Sequence, residues 1–202
     1  MKNLLLIVFS ALTLSYCSKN NDIPQTPQDQ LPPITTIGAN TAGCIINGKV
    51  LIPKNGSQAI GGSPLFGLNF NAGNNFWPDK NDYWQLEIAN KNDTNSSGVI
   101  LYIKNMTTGN GTYVINQSNG ELYDDGPNNN QIIAGIKENG IYKTYWSATI
   151  AGSISITRSD LFAGTSIYSG TFSCTLYNKD NPAEIIQITN GRFDINTFTL
   201  NQ

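Results

Sequence analysis

The 202-residue chain contains no histidine. That absence removes Ser-His-Asp and Cys-His nucleophilic catalysis, His-ligated metal centres and the usual proton carrier near neutral pH. Glycoside hydrolysis needs only a pair of carboxylates. The candidates are Asp79, Asp82, Glu87, Asp160 and Asp194, and nothing in their spacing brings two of them to a working separation. The run Asp124-Asp125-Gly126-Pro127-Asn128-Asn129-Asn130 supplies oxygen ligands of the kind calcium takes, but it lacks the Asp-x-Asp-x-Asp-Gly spacing, and the same residues make ordinary exposed turns. The expectation is a non-catalytic protein with no metal and no cofactor. Aromatic residues are the better candidates for function. Phe76, Trp77, Tyr83 and Trp84 cluster around a short loop, where flat faces beside Asn and Asp could bind a ligand such as a sugar ring; Tyr142, Tyr145 and Trp146 form a second group. Aromatic side chains also fill β cores, which is the competing expectation for Trp84 and Trp146.

Charge narrows the partners. Twelve Lys and Arg stand against 14 Asp and Glu, for a formal net charge of −2. Only Arg158 and Arg192 carry guanidinium, so the clustered cations that a phosphate backbone demands are missing and nucleic acid is not expected as a partner.

The elements that must position these residues read as strands. Tyr83 to Ile88 alternates, with Trp84, Leu86 and Ile88 on the core side and Tyr83, Gln85 and Glu87 toward water; Phe172, Cys174 and Leu176 alternate with Thr171, Ser173 and Thr175. Val99 to Ile103 is apolar on both faces and suits a central, doubly covered strand. Asn47-Gly48, Asn139-Gly140 and Asn190-Gly191 sit between strand-like runs and predict type I′ hairpin turns. Further strands are expected near Leu65 to Phe70, Tyr113 to Ile115, Gln131 to Ile136, Tyr145 to Ile150 and Ser153 to Thr157. No window holds apolar residues at helical spacing. The fold class is therefore all-β: an antiparallel meander of about nine or ten strands forming a sandwich or small barrel. Arg192-Phe193-Asp194 reads as a fold-closing motif with a local Arg-Asp surface contact.

The N-terminus carries an address. Lys2 precedes an apolar run from Leu4 to Leu14, about 11 residues, too short to span a bilayer and right for a signal-peptide core. Leu14-Ser15-Tyr16-Cys17 follows, and this layout resembles the lipobox of bacterial lipoproteins, although Tyr16 is bulkier than the residue usual before the cysteine. The resemblance implies a signal peptide over 1–16, a lipid on Cys17 and attachment to a membrane through it. From Cys17 to Ala39 the chain has Pro24, Pro27, Pro32 and Pro33 among polar residues and reads as a tether, with a single domain over 40–202. In a compartment that permits disulfides, Cys44 and Cys174 are either a disulfide pair, worth about 4 to 5 kcal/mol in the chain-entropy model, or two buried free thiols; the sequence leaves both open.

Two further segments, Gly38 to Val50 (GANTAGCIINGKV) and Ile188 to Ile195 (ITNGRFDI), with Ser169-Gly170-Thr171-Phe172, resemble a group of uncharacterised lipoproteins from Bacteroidetes-type bacteria over about residues 34–196. The resemblance implies a lipid-anchored all-β domain at the bacterial outer membrane, facing the periplasm or the surface, and supplies no catalytic residue. The reading that follows is a binding or scaffolding domain, its partner a glycan or an envelope protein. The alternatives are a lipocalin-like carrier of a small apolar ligand and a carbohydrate-active enzyme.

Overall fold

A computed structural model describes residues 26–57, 65–73, 80–92, 96–105, 107–160 and 166–202. Cys17, Phe76, Trp77 and Asp79 lie outside the described residues. Ten strands form one antiparallel sheet: β1 (Thr41–Ile46), β2 (Lys49–Leu51), β3 (Leu68–Gly73), β4 (Tyr83–Asn90), β5 (Ser97–Ile103), β6 (Gly111–Ile115), β7 (Gln131–Glu138), β8 (Ile141–Ser159), β9 (Ile167–Asn178) and β10 (Ile185–Asn196). The order is β2-β1-β10-β9-β8-β7-β5-β4-β3, with β6 paired to β8 beside β7. The sheet is a meander whose last long strand returns to pair with the first, and it curls into a half-barrel. Past β2 the chain reaches the opposite wall, where the Lys54 N–H donates to the Ala89 carbonyl at 3.0 Å and the Lys54 carbonyl accepts from the Lys91 N–H at 2.9 Å.

Burial follows the period of two. Trp84, Leu86, Ile88, Val99, Leu101, Ile132, Ile154 and Ile195 are fully buried, and aromatic contacts tie the walls together. Trp84 lies 5.7 Å from Tyr168 and 5.8 Å from Phe193, ring centroid to centroid, and Phe70 stacks on Tyr168 at 5.4 Å. Side chains thus fill the interior around Trp84.

Two of the three Asn-Gly turns form as expected. Asn47 and Gly48 (φ 46° and 80°) join β1 to β2, and Asn139 and Gly140 (φ 52° and 82°) join β7 to β8. Asn190-Gly191 does not make a hairpin. Ile185 to Ile188 and Gly191 to Asn196 both pair with β9, so the dipeptide is a bulge inside one 12-residue strand. The segments near 145–150 and 153–157 are likewise one 19-residue strand, interrupted between Ser147 and Gly152. Each interruption flips parity: Tyr145 and Ser147 face the core before it and Ile154 and Ile156 after it, as Ile186 and Ile188 give way to Phe193 and Ile195 on β10. A third irregularity, between Gly43 and Ile45 on β1, lies at the same level. The three form a crease across neighbouring strands, where the sheet can turn sharply.

Cys44 and Cys174 face the interior at this crease and are free, buried thiols. The disulfide is not formed, because β10 lies between β1 and β9. Two strand spacings of about 4.8 Å exceed the roughly 7 Å between Cα atoms that a disulfide tolerates. Burial pushes the Cys174 thiol up to about 12 and the Cys44 thiol higher still.

Residues 31–39, counted above with the tether, are fastened to the domain. Asp194, 1% exposed on β10, accepts from Thr35 Oγ1 at 2.6 Å, the N–H groups of Ile37, Gly38 and Ala39 at 3.0, 2.8 and 3.1 Å, and Ser169 Oγ at 2.7 Å. Arg192 Nη1 donates to the Pro32 carbonyl at 3.2 Å, Arg158 reaches the Thr36 carbonyl, and Leu31 is buried beside Gly43. The local Arg192-Asp194 contact expected from sequence is therefore replaced by two separate anchors, each holding an N-terminal strap to the last strand.

Candidate functional site

Tyr83 and Gln85 leave β4 on the outer face, and Tyr102 of β5 pairs directly with Gln85. An outward tyrosine in a sheet would ordinarily meet water. Here the turn Tyr123–Asp125 and Gly126 lie over it, and a Cβ on Gly126 would fall 2.4 Å from the Tyr102 ring. Tyr102 is 0% exposed as a result. Buried amides fix the turn. Gln85 Oε1 accepts the Tyr123 N–H at 3.2 Å, Gln131 Nε2 donates to the Glu121 carbonyl at 2.6 Å, and Asn81 donates through its backbone to the Asp124 carbonyl at 3.0 Å and through Nδ2 to the Gly126 carbonyl at 2.7 Å. Lys80 pairs with Asp125.

The outcome is a stack of three tyrosines that runs from the interior to solvent. Tyr102 and Tyr83 lie nearly parallel at 6.4 Å, and Tyr83 meets Tyr123 edge to face at 5.8 Å. Tyr123 is 47% exposed and has φ 58°, a left-handed backbone that a bulky residue adopts at a cost. Burial, followed by the nearby Tyr83, Asp124 and Asp82, pushes the Tyr102 hydroxyl up to about 12, and burial with Asp124 raises Tyr83. The Tyr102 hydroxyl has no hydrogen-bond partner among the described residues. The site offers flat faces and hydroxyls beside carboxylates.

Of the residues singled out from sequence, Tyr83 belongs to this stack. Trp84, one residue on, points the other way into the core with 0% exposure and is removed from the ligand-binding set. Gln85, expected to face water, is buried beneath the turn. Tyr142, Tyr145 and Trp146 do not form a surface group: Tyr145 is buried, Tyr142 is 64% exposed and lies over Gly135, and Trp146 packs against Gly120. Among the described residues no three Cys, Asp or Glu come together as a metal site, Asp124 and Asp125 included. Glu87 pairs with Lys91, Asp160 with Arg158 and Asp194 with the strap, so these carboxylates hold structure together. Sequence reasoning missed Tyr102, hidden in an apolar run, and Tyr123, whose signal was its place just before Asp-Asp-Gly-Pro.

A second concave region lies where the Asn47-Gly48 and Asn139-Gly140 turns meet. It is a cleft of about 700 Å³ lined by Ile46, Leu51, Ile136 and Ile186, with Lys49 and Glu138 among the polar groups. Lys49 of β2 and Glu138 of β7 form an ion pair at 2.6 Å between opposite walls. Beside it Glu184 accepts from Lys143 Nζ and the Tyr145 hydroxyl, both at 2.6 Å, and from Asn178 Nδ2 at 2.9 Å, which together hold its carboxyl down to about 2.

Compared with protein-family models, curated proteins and solved structures, the chain matches none.

Proposed function

We propose that this chain is a lipid-anchored binding domain of the bacterial outer membrane, without catalytic activity, whose tyrosine stack receives a glycan. The observation that carries the reading is Tyr123. An aromatic ring in a left-handed backbone, half exposed and braced by two further tyrosines and buried Gln85, is a surface the fold maintains against its own strain. Tyrosine faces suit the C–H face of a sugar ring, and Asp124 and Asn81 beside them suit its hydroxyls. The packed interior around Trp84, whose ring meets Phe70, Tyr168 and Phe193, favours this over a lipocalin-like carrier.

The anchor reading rests on the leader and on Cys17. The chain is already folded from the short 3₁₀ turn Pro27–Gln30, which lies against β2, so about 9 residues separate it from Cys17 and the tether reaches about 30 Å when fully extended.

Two measurements test the proposal. A glycan-array screen of the full-length protein in detergent should give binding that Tyr123→Ala and Tyr83→Ala each reduce at least tenfold; silence across the array, or binding indifferent to both changes, refutes the glycan reading. Mass spectrometry of membrane-extracted protein should find diacylglyceryl on Cys17, and a retained leader or an unmodified cleaved chain refutes the anchor.

A further inference from the structure

The cleft at the Asn-Gly turns is a separate site with its own chemistry. Its volume of about 700 Å³ falls within the span typical of small-molecule pockets. Its lining is divided in two. Ile46, Leu51, Ile136 and Ile186 make an apolar floor continuous with the core, while the rim carries Lys49 and Glu138, paired only with each other, together with Glu184 and with Lys137, which alternates to the other face of β7 from Ile136 and Glu138. The two-residue strand period sets this division: Lys49 shares a face of β2 with Leu51, and Glu138 shares a face of β7 with Ile136. Glu184 already accepts from Lys143, Tyr145 and Asn178, so its charge is matched within the fold.

The Lys49-Glu138 bond is inexpensive to open. Its side chains are 78% and 53% exposed, and pairs of that kind are worth at most about 1 kcal/mol. A ligand that offers a carboxylate to Lys49 and an ammonium to Glu138 replaces that bond with two charge-assisted hydrogen bonds and leaves no charge unpaired. A simple anion would strand Glu138, and a simple cation would strand Lys49. We propose that the cleft binds a zwitterion with an apolar side chain, a free amino acid or short peptide, with the Lys49-Glu138 pair opening as a clasp to admit it.

The experiment is a titration of the processed full-length protein with leucyl-leucine, followed by amide chemical-shift changes, beside N-acetyl-leucyl-leucinamide, which has the same side chains and no charges. Saturable shifts at Ile46, Lys49, Ile136 and Glu138 are expected at millimolar dipeptide, with affinity at least tenfold lower for the blocked compound. Lys49→Ala and Glu138→Ala should each cost at least tenfold, and both should fold normally since the pair is exposed. Ile136→Trp, which fills the floor, should abolish binding. Equal affinity for the blocked dipeptide, binding unchanged in both charge variants, or no shifts up to 10-fold above the millimolar range overturns the proposal. Tyr123→Ala should bind the dipeptide normally, so this inference and the glycan reading fail separately.

Discussion

Asp194→Asn tests the strap. The carboxylate is 1% exposed and accepts five hydrogen bonds, three of them from backbone N–H groups of residues 37–39. Burial alone would raise its pKa, but the donors from Thr35, Ser169, Ala39 and Gly38 prevail and hold the carboxyl at about 2. A carboxyl that titrates near 2 in the folded protein and near 3.9 in the unfolded chain contributes roughly 2 to 3 kcal/mol at neutral pH. Since the folded pKa is the depressed one, that stability is fully present above about pH 4 and disappears as pH falls through about 2. Asparagine keeps one acceptor oxygen and turns an NH₂ group toward the remaining donors, so buried N–H groups lose their partner. The expected loss is about 2 to 4 kcal/mol at pH 7. Urea unfolding followed by circular dichroism at pH 7, 5, 4, 3 and 2.5 measures the gap between wild type and Asp194→Asn, and the gap should narrow toward the acid end. Glu184 also titrates low, but it is present in both proteins and cancels in the difference. A gap under about 0.5 kcal/mol at pH 7, or one that does not change with pH, refutes the reasoning.

Other outcomes follow from the same geometry. Trp84→Ala should cost about 3 to 5 kcal/mol in urea unfolding, because it removes the ring that Phe70, Tyr168 and Phe193 all touch. Gly152→Ala should destabilise by about 1 to 3 kcal/mol, since its Cβ would fall 2.1 Å from the Ser173 carbonyl and 2.8 Å from Cys174 Cβ, whereas Gly140→Ala meets no neighbour and should cost only the strain of its turn. Cys44 and Cys174 should resist a water-soluble thiol reagent at pH 8 while folded and react fully in denaturant; rapid labelling of the native protein would contradict their burial.

The all-β class was legible because alternation survives in single strands: Tyr83 to Ile88 shows its core face outright, and Val99 to Ile103 shows a strand covered twice. The two Asn-Gly hairpins were legible for the same local reason, a dipeptide that accepts positive φ. Asn190-Gly191 carries the identical signal and misled, because a bulge that turns a strand and a turn that ends one use the same backbone; what decides is whether the next residues pair with the old neighbour or a new one. Burial of Gln85 was illegible, since it depends on a turn 38 residues away in sequence that lies over an otherwise exposed face. The strap was hidden too. Pro32-Pro33 and the polar residues around them look like linker, and only the third dimension brings Asp194 to their amides.

Fastening the strap and β1 to β10 gives the chain an order of completion. Asp194 bonds residues more than 150 positions earlier, and every β1 pairing on that side waits for the same strand. Contacts between such distant segments form late, after the intervening loop has closed. During synthesis, therefore, the strap and β1 leave the ribosome well before β10 and stay without their partners until it has emerged, and a chain cut short before β10 would lose the hold on the strap as well.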